Sequence, residues 1–143
     1  MVNFVETVVN KGFLPWKDGR KVSFTIKRKQ QSANIDTSLL EHSLQNILQN
    51  AFKYSAGKLN PIVHVGFSKT YFTISVIDDG IGIPEKDIPK LFSSFFRASN
   101  TGNISGTGIG LMVAKYFTEQ HKGNITFKSK VNKGSIFTLK LPY

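Results

Sequence analysis

The chain contains no cysteine. That excludes disulfides, thiolate metal sites and cysteine nucleophiles, and it fits a cytoplasmic setting. No apolar run approaches the roughly 18 residues that a membrane-spanning helix needs. The opening residues, MVNFVETVVNKGF, lack the basic-then-apolar layout of a secretory signal. Acids are scarce: nine Asp and Glu stand against nineteen Lys and Arg, a net charge of +10. Such a surface attracts polyanions, which leaves nucleic acid, an acidic protein, a nucleotide triphosphate or simply a solvated basic surface. The cations, among them Lys27, Arg28, Lys29 and Lys140, are scattered along the chain, with no dense basic tract and no zinc-finger spacing. No repeat, linker or low-complexity segment divides the chain. Its 143 residues, 40% hydrophobic and 20% charged, therefore read as one soluble domain, residues 1–143.

Apolar residues at helical spacing (Phe4, Val5, Val8, Val9) predict a helix over Asn3 to Phe13, stopping near Gly12 and Pro15. Alternation from Lys21 to Lys29 predicts a strand, and a short extended piece is expected at Ala33 to Ile35. Asp36 opens the clearest helix, with Leu40, Leu44, Ile47, Leu48, Ala51 and Phe52 on one face and a stop near Ser55 and Gly57. Ile62 to Phe67 and Tyr71 to Ile77 read as a strand pair. A glycine-rich stretch from Asp78 to Ser105 follows, broken by a short helix expected at Pro89 to Phe96. Gly110 to Gln120 is helical by pattern. The end is a hairpin, Asn124 to Val131 and Ser135 to Leu141, turning at Asn132-Lys133-Gly134. This is an α+β domain with a helical layer on one sheet.

Four blocks carry chemistry. In NILQNAFKYS, Asn46, Asn50 and Lys53 form a polar stripe beside the apolar face. Asn is a poor helix former, so two in one helix suggest a task. An amide oxygen suits Mg²⁺, and Lys53 would offset phosphate charge; an exposed polar face is the alternative. In DDGIGIP, a strand-end carboxylate suits the exocyclic amine of adenine, with a turn bearing a surface Asp as the alternative. LFSSFFR places Phe92, Phe95 and Phe96 as core packing and Arg97 within reach of a phosphate or a partner domain. GTGIGL puts Gly106, Gly108 and Gly110 ahead of a helix, where free N–H groups favour phosphate. No strand directly precedes these glycines, which rules out a dinucleotide-binding βαβ motif, and no GxxxxGK[ST] exists.

In this order the blocks resemble the N, G1, F and G2 boxes of the histidine-kinase catalytic domain, in the Bergerat ATPase superfamily with gyrase, the heat-shock chaperone ATPases and mismatch-repair ATPases. The resemblance runs from about Asn3 to Pro142. It implies a two-layer α/β sandwich, a mixed, mostly antiparallel sheet covered on one face by about three helices. It implies ATP and Mg²⁺ as cofactors, with Asn50 the metal ligand supported by Asn46. Lys53 and Tyr54 would face phosphates or ribose, and Asp78 would hold adenine in a pocket shaped by Gly80, Gly82 and Ile83. Arg97, Gly106, Thr107, Gly108, Gly110 and Leu111 would border the phosphates at the end of a lid near Ser99 to Ser105.

Members that activate water, and the related anti-sigma serine kinases, resemble each other in a Glu four residues before the magnesium Asn. Here that position is Asn46, which cannot take a proton. Water and serine are poor nucleophiles without a base, whereas neutral imidazole carries a free lone pair near neutral pH. The expected reaction is therefore transfer of the γ-phosphoryl group to histidine. An anti-sigma-type serine kinase and a nucleotide-binding regulatory module without phosphotransfer are the alternatives. The family's acceptor histidine sits on a separate helical hairpin, and His42, His64 and His121 lack its context. The expected partner is that dimerisation and phosphoacceptor domain of the same parent, with a response regulator reached indirectly. Neither nucleic acid nor membrane contact is expected of this domain, which should be a monomer alone. Met1 is then expected to be an artificial start, with the acceptor domain expected upstream in the parent.

Overall fold

A computed structural model describes residues 2–12, 16–26 and 33–143. Its elements are α1 (Val2–Gly12), β1 (Ser23–Ile26), α2 (Thr37–Tyr54), β2 (Ile62–Phe67), β3 (Tyr71–Asp78), a 3₁₀ helix (Glu85–Lys90), α3 (Gly110–Gln120), β4 (Asn124–Lys130) and β5 (Gly134–Pro142). The five strands form one mixed sheet in the order β1-β2-β3-β5-β4. Only β1 and β2 are parallel; the other pairs are antiparallel. An α+β architecture of sheet and helical layer results, as expected.

Alternation along the strands decides which face is covered. On β3, Phe72, Ile74 and Val76 are buried, and they meet Leu141, Leu139 and Phe137 across the β5 register. The helices lay Val5, Val8 and Val9, then the apolar stripe of α2, then Ala114 onto that face. Among the described residues, nineteen buried hydrophobic side chains close one core. At about 25 cal/mol per Å² of apolar surface, their burial is what offsets the cost of ordering the chain.

The ends of α2 are fixed by specific bonds. Asp36 is its N-cap, accepting from the N–H groups of Ser38 at 2.9 Å and Leu39 at 3.1 Å. At the other end, Arg20 Nη2 donates to Phe52 O at 2.7 Å, and Nη1 to Ser55 O and Oγ, each at 2.8 Å. A guanidinium there satisfies carbonyls that a helix C-terminus leaves bare and opposes its negative dipole end. Asp18 holds Arg20 at 2.8 Å. Trp16 stacks on Phe52 with centroids 4.8 Å apart. The N-terminal segment thus locks the last turn of α2, which carries Asn50 and Lys53.

Several expectations need correction. The helix expected at Pro89 to Phe96 is instead the 3₁₀ helix at Glu85–Lys90. Pro89 has no N–H to extend a ladder, and Phe95 then takes a left-handed φ of 61° that ends any helical run. Ala33 to Ile35, expected as a short extended piece, joins no strand of the sheet. The first strand covers Ser23–Ile26, and its expected continuation through Lys29 lies outside the described residues, as do Phe13 and Pro15. Phe95 is 74% exposed rather than core. Phe92 does pack, meeting Phe127 edge-on at 5.8 Å.

Candidate nucleotide site

α2, the end of β3, the loop after it, the start of α3 and the intervening lid enclose one cleft of about 320 Å³. Asn46, Asn50, Lys53, Tyr54, Asp78, Gly82, Ile83, Arg97, Gly106, Thr107, Gly108, Gly110 and Leu111 all line it. Four separated sequence blocks therefore meet in space. Gly80 does not line the cleft. It sits behind, where a Cβ would come within 2.5 Å of Tyr54 O and 2.7 Å of Asp78 Oδ1. Its contribution is close approach: its N–H donates to Asp78 Oδ1 at 2.9 Å.

Asp78 is the carboxylate of one wall. Burial pushes its carboxyl up to about 6, against the N–H groups of Gly80 and Ser135 that favour the charge, while nearby Asp79 adds to the rise. The loop that follows is stitched on three sides. Ile81 N donates to Tyr54 O at 3.0 Å, Asn132 N to Ile81 O at 2.8 Å, and Ile83 N to Ser129 Oγ at 2.9 Å. Gly82, at φ 66°, lies so close to the β4–β5 turn that a Cβ would stand 2.0 Å from Lys130 O. Only glycine fits.

The other wall is cationic. Gly106 marks the junction: a Cβ there would lie 3.4 Å from Tyr54 Oη, 3.6 Å from Lys53 Nζ and 4.0 Å from Arg97 Nε. Burial, then Arg97 and Lys17, hold the Lys53 ammonium below its ordinary value. Arg97 donates to Ile104 O and lies 3.4 Å from Thr101 Oγ1. Among the described residues the ion pairs are Arg20–Asp18 and Lys115–Glu119, so neither cation of the cleft has a carboxylate partner. Crowded like charges without a counterion make a site for an anion.

Between the walls runs the amide stripe. Asn46 and Asn50 are half-buried, and neither side chain is hydrogen-bonded to another described residue. Asn46 abuts the start of α3, where a Cβ on Gly110 would meet its Oδ1 at 3.2 Å. Gly108, at φ 73°, packs against the backbone of Phe95 and Phe96. Three histidines lie elsewhere. His121 ties the ends of α2 and α3 together, with Nδ1 2.8 Å from Phe117 O and Nε2 accepting from Asp36 N at 3.0 Å.

Sequence reasoning missed Gln49, Leu91, Asn100, Thr101, Ser135 and Phe137 among the lining residues. Ser135 and Phe137 were legible only through the β3–β5 register, which sets them opposite Asp78 and Val76. Nothing in the local sequence marks Asn100.

Known proteins resemble this chain in sequence and in fold. Residues 35–143 match the family described as histidine kinase-, DNA gyrase B- and HSP90-like ATPase. The chain is 40% identical over 113 residues to the sensor histidine kinase WalK of Bacillus subtilis, covering 76% of this chain and 18% of that protein. It is 32% identical over 145 residues to the sensor protein kinase WalK of Staphylococcus epidermidis, covering 97% of this chain and 23% of the relative. The chain thus spans about a fifth of the length of these relatives. Its fold matches the catalytic domain of the histidine kinase ThkA with a TM-score of 0.79 at 22% identity, covering 96% of this chain and 93% of that one. The mycobacterial sensor histidine kinase MprB gives 0.76 at 22%, covering 99% and 91%. With the cleft, the fold and these relatives in agreement, the chain belongs to the histidine kinase-, DNA gyrase B- and HSP90-like ATPase family, as an ATP-binding domain of the kind found in sensor histidine kinases.

Proposed function

We propose that this domain holds Mg-ATP in the cleft and presents its γ-phosphoryl group to a histidine on a separate dimerisation and phosphoacceptor domain. The observation that carries the reading is the polarity of a single cleft: a half-buried carboxylate on one wall, cations without a carboxylate partner among the described residues on the other, and unbonded amides between. That is the charge pattern of a nucleotide, base at one end and triphosphate at the other.

Asp78 accepts a proton of the adenine amine, and Lys53 and Arg97 offset the phosphate charge. The donor set fits a hard divalent cation only in part. Asn50 offers an unbonded amide oxygen, and Asn46 a second beside it, but no cluster of three His, Cys, Asp or Glu exists among the described residues. A bound Mg²⁺ would therefore take its anionic ligands from the nucleotide, and it supplies positive charge beside the phosphates. The glycines at the start of α3 leave backbone N–H groups free for phosphate oxygens.

No carboxylate stands at position 46 to take a proton from water or serine. A neutral imidazole needs no such base. Its lone pair forms the new N–P bond while the bond from the γ-phosphorus to the β,γ-bridging oxygen breaks, and ADP leaves with that electron pair. The protein's part is positioning and charge neutralisation. Mixing this domain and γ-labelled ATP with a separately made acceptor hairpin tests the reading. Acid-labile label on the hairpin's histidine supports it. Acid-stable label on a serine, or release of free phosphate without transfer, overturns it.

A further inference from the structure

The charges of this chain are sorted by face. On the side of the sheet away from the core, the strands present Ile62, Ile77, Ile136, Lys128, Lys130 and Lys140, alternating with residues that pack inward. The nine acids lie elsewhere. Asp78 ends β3 and lines the cleft, Asp79 follows it, and the others sit on helices or connections. Among the described residues, no outward strand position carries a carboxylate. Nor do the three lysines have a carboxylate partner there, since the ion pairs are Arg20–Asp18 and Lys115–Glu119.

Strand register turns the isoleucines into a row. Ile62 pairs with Ile77, Ile77 with Ile136, and Ile136 with Lys128. Strands lie about 4.8 Å apart, so the apolar row is about 10 Å long and ends at a lysine. Helices α1, α2 and α3 all send side chains into the core on the opposite face, while Ile62 and Ile136 are each 38% exposed. Strand propensity alone does not require this, because threonine suits a strand as well and tolerates water. The next row is built that way, with Ser75 and Thr138 oxygens 2.8 Å apart. Neighbouring apolar side chains on an open face, rimmed by polar ones, mark an interaction surface.

Charge and shape select the occupant. A second copy would set lysines against lysines. Nucleic acid would leave the isoleucines uncovered by its phosphates, and Tyr71 offers its bases no free ring, because Lys140 Nζ already lies 4.0 Å from the ring centroid. We propose that the open face of the sheet docks an acidic amphipathic segment of a partner protein. Its apolar side chains cover the isoleucine row, and its carboxylates pair with Lys128, Lys130 and Lys140. Ser135 and Phe137, which alternate with Ile136 along β5, line the cleft from the other side, so such a partner leaves the nucleotide site open.

Amide-shift mapping of the ¹⁵N-labelled full chain tests this, with a synthetic helical peptide that carries leucines on one face and glutamates beside them. Shifts should concentrate on β2, β3, β5 and β4 and spare α2 and the lid. Lysine in place of glutamate in the peptide should abolish them. Ile136→Thr keeps a branched residue in the strand, and Lys128→Glu with Lys140→Glu reverses the charge. Each variant should weaken the peptide about tenfold while the rest of the amide spectrum stays native. Oligoglutamate or single-stranded DNA shifting the same amides as strongly would mark a plain polyanion surface and overturn the proposal. Unchanged affinity in Ile136→Thr, shifts centred on the cleft, or no shift at about 1 mM peptide would overturn it too. If a variant does not fold, wild type decides: the glutamate peptide must bind at least about tenfold tighter than both oligoglutamate and the lysine peptide, and a smaller gap overturns the proposal.

Discussion

Replacing Asp78 by Asn should stabilise the fold and weaken nucleotide binding. Folding lifts this carboxyl from 3.8 to about 6, chiefly by burial. A raised carboxyl favours the native state while protonated. That contribution is fully present below pH 3.8 and is lost as the pH rises through 6. At 1.36 kcal/mol per pH unit, the loss amounts to about 3 kcal/mol at neutral pH. Asn carries no charge, and its oxygen can still accept from the Gly80 and Ser135 N–H groups. The variant should therefore match wild type near pH 4 and exceed it by about 3 kcal/mol at pH 7, or by about 10 °C in Tm for a domain of this size. Urea denaturation across pH 4 to 8 measures the divergence. In the same variant, the amide NH₂ now faces the cleft, donor against the adenine amine, so ATP affinity should fall about a hundredfold. Parallel stability curves from pH 4 to 8 would refute the burial argument, and unchanged ATP affinity would refute the base assignment.

Other consequences are as open to measurement. Wild-type ATP affinity should decline below pH 6 as Asp78 gains its proton, an effect absent from Asp78→Asn; calorimetry at pH 5 and 7 compares them. Asn50→Ala should leave Tm within a few degrees, because its amide bonds nothing among the described residues. The same variant should weaken ATP binding about tenfold or more in magnesium and much less in chelator. Gly82→Ala must push a methyl group to 2.0 Å from Lys130 O at positive φ, and should cost about 3 kcal/mol or more in urea denaturation. Arg20→Ala removes the guanidinium bonds to Phe52 O, Ser55 O and Ser55 Oγ and should cost about 2–3 kcal/mol, with Arg20→Lys recovering only part.

Regular periodicity was readable wherever local pattern and tertiary burial agree. Gly110–Gln120 and the final hairpin fall where apolar spacing and the Asn132-Lys133-Gly134 turn put them, since Asn132 and Gly134 can take φ of 58° and 83°. The four motifs converge on one cleft because each is tied to an element end whose direction the sheet sets. What stayed hidden depends on distance in the chain. Arg20 finds α2 across 32 to 35 residues, and no local pattern announces a cap supplied from so far away. Asn100 looks like an ordinary lid residue until its amide is seen facing Gly82. The segment after Pro84 misled because aromatic spacing suggests a helix, whereas Pro89 and the left-handed Phe95 deny it a continuous ladder.

The Arg20 clamp also bears on how such a domain is cut for expression. The family match begins at residue 35, and a gene trimmed to it would omit Trp16, Arg20, β1 and α1. The truncated product would lose the Trp16 stack on Phe52 and the Arg20 bonds to the last turn of α2, and turn β2 into an open sheet margin ready to pair with another molecule. Low solubility of that fragment would then reflect a missing buttress rather than a faulty nucleotide pocket.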